Sequence, residues 1–99
     1  MRRIILFLAI ISATTLQAVA QSFTLQGRVT DQDMNPVELA TVSVAKQGKI
    51  AFTSLRGEFS MQLMSADSVV VKFSMIGYKT KTRILRRPRG KQTLQVVLH

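Results

Sequence analysis

From residue 23 to the end of the chain, apolar and polar side chains alternate in short runs. The most apolar run places Val69, Val71, Phe73 and Met75 at every second position. A period of two puts these side chains on one face of a β-strand. Six further runs follow the same rule, and no window of eleven or more residues after residue 21 has the 3.6-residue period of a helix. The pattern therefore predicts seven strands and no helix in this part of the chain.

Turn-forming residues separate the runs and set the expected boundaries. We predict strands over residues 23–30, 40–44, 50–54, 59–64, 69–75, 79–85 and 94–98. Gly57 is expected to have a positive φ, which glycine adopts without steric hindrance. Short strands with one apolar face, spaced by about 8 to 12 residues, are typical of a sandwich of two sheets. The predicted fold is an all-β, seven-stranded antiparallel β-sandwich. Its expected core residues are Leu25, Val29, Val42, Val44, Phe59, Leu63, Val71, Phe73, Val96 and Leu98.

The first twenty residues have a different pattern. Arg2 and Arg3 precede an unbroken apolar run over residues 4–11, and residues 18–20 read Ala-Val-Ala. This is the layout of a secretory signal, with cleavage before Gln21. Polar residues at positions 12, 14, 15 and 17 interrupt the run before it reaches the roughly 20 apolar residues of a membrane-spanning helix. We predict a helical signal peptide over residues 1–20 and one exported domain over residues 21–99.

Five short motifs follow one another along the exported part. They are GRVTD at residues 27–31, NPV at 35–37, ATVSV at 40–44, TS with GEF at 53–54 and 57–59, and FSMIGY at 73–78. In this order they resemble the carboxypeptidase regulatory-like domain family, whose members have a transthyretin-like (prealbumin-like) β-sandwich. The chain departs from the family at residues 54–57, Ser-Leu-Arg-Gly, where an Asp is common before the Gly-x-Phe motif. The resemblance implies an accessory domain without catalytic activity.

A domain of this kind after a signal ending in Ala-Gln is similar to the N-terminal extension of TonB-dependent outer-membrane receptors for nutrient uptake in Bacteroidetes-type bacteria. That similarity implies a location at the periplasmic face of the outer membrane. The implied partners are the plug and barrel of a parent receptor, or periplasmic proteins. The 99 residues have no room for a plug and barrel. Two interpretations stay open: a fragment of a receptor, or a stand-alone periplasmic module that binds protein or glycan.

Composition narrows the possible chemistry. The chain has no cysteine, and its single histidine is the last residue, His99. These counts exclude a disulfide scaffold, a thiolate nucleophile and a cysteine-based zinc site, and they leave no internal Ser-His-Asp triad. The spacing of Asp31, Asp33 and Asn35 imitates an EF-hand loop, but positions six and twelve of that loop would be Pro36 and Val42 instead of Gly and Glu. We predict no enzyme activity, cofactor or metal.

Charge is the strongest polar feature of the chain, which has 14 Lys+Arg and 5 Asp+Glu. Seven cations fall within 13 residues, namely Lys79, Lys81, Arg83, Arg86, Arg87, Arg89 and Lys91. Such a cluster creates a local positive potential. Nucleic acid is not the expected partner, because single strands need stacking aromatics and Tyr78, itself expected to pack on the core, is the only one nearby. The cluster is either a docking patch for acidic proteins or anionic membranes, or a solvated strand edge that prevents aggregation.

Overall fold

Residues 21–99 form seven strands, which the computed structural model describes; the predicted signal peptide, residues 1–20, lies outside the described residues. The strands are β1 Ser22–Thr30, β2 Thr41–Val44, β3 Lys49–Phe52, β4 Glu58–Met64, β5 Ser68–Ser74, β6 Lys81–Arg86 and β7 Lys91–Val97. Each corresponds to a predicted strand to within about three residues, and one short 3-10 turn, Ala45–Gln47, joins β2 to β3.

The strands are arranged in two sheets that pack face to face. Sheet A has the order β4-β1-β7, and sheet B has the order β3-β2-β5-β6. All ten predicted core residues are buried between the sheets, together with Phe23, Val37, Ala40 and Val69. Phe59 of sheet A meets Phe73 of sheet B edge to face, with ring centroids 5.6 Å apart. The all-β sandwich is thus confirmed, because alternate side chains from both sheets fill one core.

One strand pair corrects the predicted antiparallel arrangement. β1 and β7 lie side by side in parallel, with Thr24 opposite Lys91 and Thr30 opposite Val97. The remaining strand pairs are antiparallel. The chain reverses direction at each of its six connections, so odd-numbered strands all run the same way. Two odd-numbered strands that become neighbours must therefore pair in parallel, whatever the local sequence prefers.

Because the chain reverses at every connection, successive connections lie at alternate ends of the sandwich. The β2–β3, β4–β5 and β6–β7 connections lie at the end where β1 begins. The long β1–β2 connection lies at the opposite end, with the β3–β4 and β5–β6 connections. There the Oδ1 atom of Asp31 accepts the backbone N–H groups of Asp33 and Asn35, at 2.9 Å each. The segment that imitates a calcium loop therefore closes a local turn.

A buried hydroxyl holds the β1–β2 connection against β3. The Oγ1 atom of Thr53 donates to the carbonyl oxygen of Val37 at 2.6 Å and accepts the N–H of Ala40 at 2.8 Å. Thr53 is only 2% exposed. Both polar capacities of the hydroxyl are thus satisfied inside the core, as burial of such a group requires.

Candidate functional site

Three connections are fixed together at the end where β1 begins. The backbone N–H of Ser65 donates to the carbonyl oxygen of Gln21 at 3.0 Å, and its Oγ donates to the carbonyl oxygen of Pro88 at 3.0 Å. The N–H of Arg87 donates to the carbonyl oxygen of Asp67 at 3.0 Å. Residue 21, the β4–β5 connection and the β6–β7 connection therefore form one hydrogen-bonded surface.

The β6–β7 connection presents its cations outward. Pro88 is buried, whereas Arg86, Arg87, Arg89 and Lys91 are exposed. Arg87 has a φ of 45°, which is the left-handed region that few side chains other than glycine adopt readily. A buried proline between arginines anchors the turn while it leaves the charged groups in solvent.

The β2–β3 connection brings further cations to the same end. The Nε2 atom of Gln47 donates to the carbonyl oxygen of Met64 at 2.8 Å, and the N–H of Met64 donates to the Oε1 atom of Gln47 at 2.8 Å. This double hydrogen bond ties the connection to the last residue of β4. Lys46 and Lys49, which precede and follow Gln47 in the sequence, are exposed. Neither lysine is part of the cluster predicted from sequence.

We call this surface the basic end. Its cations are Lys46, Lys49, Arg86, Arg87, Arg89 and Lys91. Asp67 is the acidic residue at this end, whereas the other four acids of residues 21–99 lie at the opposite end or in the strand leaving it: Asp31, Asp33, Glu38 and Glu58. Arg28, Arg56, Lys79 and Lys81 also lie near that opposite end, so its charges balance, whereas the basic end has an excess of positive charge.

The structure divides the predicted patch into three parts. Arg86, Arg87, Arg89 and Lys91 stay together at the basic end. Lys79 lies at the opposite end, where its N–H donates to the carbonyl oxygen of His99 at 2.7 Å. Strand β6 runs between these two positions, so its length separates Lys79 from the four cations in and beside the β6–β7 connection.

Lys81 and Arg83, the third part, are half-buried and close the gap between the two sheets. They stand opposite the core residues Phe73 and Val71 of β5, on the inward face of β6. The Nζ atom of Lys81 donates to the carbonyl oxygen of Val97 at 3.0 Å, and the Nη2 atom of Arg83 donates to that of Gln95 at 3.3 Å. Both carbonyl groups lie on the outer edge of β7, away from β1. These two cations therefore protect a strand edge.

Two depressions border these surfaces. A cleft of about 360 Å³ at the basic end is lined by Gln21, Ser65, Asp67, Arg87 and Arg89, among others. A shallow groove of about 640 Å³ crosses the outer face of sheet A, between polar side chains and the exposed Phe52. Within residues 21–99 no three His, Cys, Asp or Glu side chains converge as metal ligands. That part of the chain also has no helix with the length and apolar character needed to span a bilayer.

The single ion pair of the described residues lies in that groove. The Nη2 atom of Arg28 is 3.1 Å from the Oε1 atom of Glu58, and both side chains are about half exposed, at 48% and 53%. A pair this exposed contributes at most about 1 kcal/mol. It organises the polar face of sheet A and leaves the basic end unneutralised.

Comparison with known proteins agrees with this architecture. No curated protein sequence matches the chain. Among solved structures, the 3-chlorocatechol 1,2-dioxygenase of Rhodococcus opacus 1CP superposes with a TM-score of 0.64 at 10% identity, over 81% of this chain and 60% of that one. A variant of the catechol 1,2-dioxygenase of Acinetobacter radioresistens gives 0.64 at 13% identity, over 80% and 52%. The chain thus spans little more than half of those enzymes and shares a fold with them.

The family comparison covers most of the chain. The family described as the CarboxypepD_reg-like domain matches residues 25–99, which include nearly all of β1 and the six strands that follow. The match begins two residues after the first buried side chain, Phe23, and confirms the resemblance carried by the five motifs. It is a family of non-catalytic regulatory-like domains. The chain belongs to the CarboxypepD_reg-like domain family.

Proposed function

We propose that this chain is the non-catalytic N-terminal accessory domain of a TonB-dependent outer-membrane receptor for nutrient uptake, and that it acts in the periplasm as a docking module. The excess of positive charge at the basic end carries the proposal. Six exposed cations at one end face a single acid, and no ion pair links them within the described residues. Such an end attracts acidic surfaces through many weak contacts. The signal pattern of residues 1–20 supports export to the periplasm.

The groove on sheet A favours a second candidate function. Its amide, hydroxyl and charged side chains, beside the exposed ring of Phe52, supply the kinds of groups that orient a polar ligand. A stand-alone periplasmic module that binds protein or glycan would use this face. The nucleotide sequence beyond codon 99 separates the two candidates. An in-frame plug and barrel supports the receptor domain, and a stop codon supports the stand-alone module.

The docking role is tested by capture from extracts. The two sheets and their shared core are formed by residues 22–98, so residues 21–99 contain the whole sandwich. Immobilised residues 21–99 should retain periplasmic or outer-membrane proteins at low salt and release them at high salt, because exposed charges are screened beyond about 8 Å at physiological ionic strength. The variant Arg86→Ser, Arg87→Ser, Arg89→Ser should lose the same partners.

The matched control removes three exposed cations away from the basic end: Arg56→Ser, Lys72→Ser, Lys79→Ser. It has the same net charge as the first variant and should retain the partners. Equal capture by the parent and both variants would show that the basic end is only a solvated surface. Hydrolysis of peptides or glycans by the purified domain would contradict its non-catalytic role.

A further inference from the structure

The chain enters the sandwich at the basic end. Gln21 is held there by its hydrogen bond to Ser65, and it lines the same cleft as Arg87 and Arg89. The first residue of the exported domain and the two arginines therefore belong to one surface.

The cations of the basic end are arranged for a broad surface. They come from two separate connections and from the strand ends beside them, and all six are exposed. Ala66 borders both the cleft of the β6–β7 connection and a neighbouring depression lined by Lys46, so the two connections lie on either side of it. The acidic residue Asp67 also lines the cleft, which disfavours a single bound anion. Charges spread in this way contact several phosphate groups at once.

We infer that the basic end binds the anionic phospholipid headgroups of a membrane surface. The inference deepens the proposed docking role and rests on its premise of export. The bilayer is favoured over an acidic protein because a continuous anionic surface can meet all six spread cations at once, without matching the position of each. The difference in charge between the two ends sets the orientation, since the basic end is strongly positive while the acids of the opposite end balance its cations. The domain then stands on the membrane with its strands directed away from the surface.

Vesicle sedimentation tests the inference. Residues 21–99 should sediment with vesicles that contain phosphatidylglycerol and stay in solution with vesicles of phosphatidylcholine alone. Each basic residue near an anionic surface contributes about fivefold to binding, so Arg86→Ser, Arg87→Ser, Arg89→Ser should weaken it about 100-fold. The control Arg56→Ser, Lys72→Ser, Lys79→Ser should bind nearly as the parent does. Circular dichroism of each variant checks that the sandwich is intact.

Orientation gives a second measurement. Spin-labelled phosphatidylglycerol in the vesicles should broaden the amide signals of residues 45–49 and 87–91 first, and those of residues 31–35 least. Loss of binding in the control as large as in the basic-end variant would overturn the inference, because net charge alone would then explain it. Uniform broadening, or absence of binding to the anionic vesicles, would overturn it as well. So would displacement by free phosphate but not by chloride at equal ionic strength, which indicates a single-anion site.

The vesicle and extract experiments fail independently. Binding to pure lipid without capture of a protein partner supports this inference and contradicts docking on protein. Arginine-dependent capture of a receptor component, with no vesicle binding, supports docking on protein and contradicts the binding of lipid headgroups.

Discussion

At the scale of the residue, a few side chains fix the connections that the strand pattern leaves undefined. Ser54 accepts the N–H groups of Arg56 and Glu58 with its Oγ atom, at 3.3 and 3.2 Å. Its hydroxyl therefore closes the turn that leads into β4. Thr53, the preceding residue, satisfies two backbone groups in the core. The two neighbouring hydroxyls thus fix the β3–β4 connection: one bonds to the β1–β2 connection, and the other closes the turn.

Gly57 is the position in that connection with the least tolerance for a side chain. Its φ is 76°, and a Cβ atom would lie 2.4 Å from the carbonyl oxygen of Val29. We expect Gly57→Ala to lower the free energy of unfolding by at least about 2 kcal/mol, through left-handed strain and the backbone clash together. Urea denaturation measures the loss.

Gly48 provides the matched control. Its φ is 61°, but a Cβ atom there would have no neighbour within 4 Å. Gly48→Ala should therefore show the conformational strain alone, about 1 kcal/mol. Equal losses in the two variants would show that the contact with Val29 is relieved by movement of the backbone.

At the scale of the element, side chains seal both gaps between the sheets. Lys81 and Arg83 bond to the outer edge of β7 on one side, and Gln47 bonds to the outer edge of β4 on the other. Unpaired strand edges invite association with another chain, and inward-pointing charges are one natural protection. The lysine and arginine of β6 thus have a role in the fold that is separate from docking.

The double variant Lys81→Thr, Arg83→Thr tests this sealing. It retains residues suited to a strand but frees the carbonyl groups of Gln95 and Val97. We expect concentration-dependent association, measured by sedimentation velocity. Arg56→Thr, Lys79→Thr has the same net charge with both edges intact and should remain monomeric under the conditions in which the parent does. Association of both variants to the same extent would assign the effect to lost charge.

The alternation of apolar and polar residues predicts where the strands are, but not which strands pair with each other in a sheet. Every predicted core residue is buried, because burial alternates along a strand in the same way as polarity does. The parallel pairing of β1 with β7 depends on which strands become adjacent, and tertiary packing decides that. The inward position of Lys81 and Arg83 on an edge strand has no local sequence signal, so the sequence alone groups them with the exposed cations around them. The place of Lys46 and Lys49 can be predicted from the sequence. If the chain reverses at every connection, the β2–β3 and β6–β7 connections lie at the same end of the sandwich.

At the scale of the whole molecule, one small core supports the entire fold. A domain of this size buries a modest fraction of its surface, so we expect its net stability near the low end of the roughly 5 to 15 kcal/mol that is typical of folded proteins, about 5 kcal/mol. Phe73 is fully buried at the contact between the sheets, whereas Phe52 is 62% exposed at the edge of sheet B. We expect Phe73→Ala to cost about 3 to 5 kcal/mol and to unfold much of the population. Phe52→Ala should melt close to the parent in thermal denaturation followed by circular dichroism. Similar melting of both variants would contradict the assigned core.

The parallel pairing of β1 with β7 determines how the domain carries mechanical load. β1 starts at the basic end, and β7 finishes at the opposite end, beside Thr30. Tension applied at residues 21 and 99 therefore runs along the two strands in opposite directions. It shears all their hydrogen bonds at once, whereas neighbouring antiparallel strands loaded from a shared end would open one bond at a time. Because these bonds must break together, the β1–β7 pair resists a pull applied between the two ends of the domain.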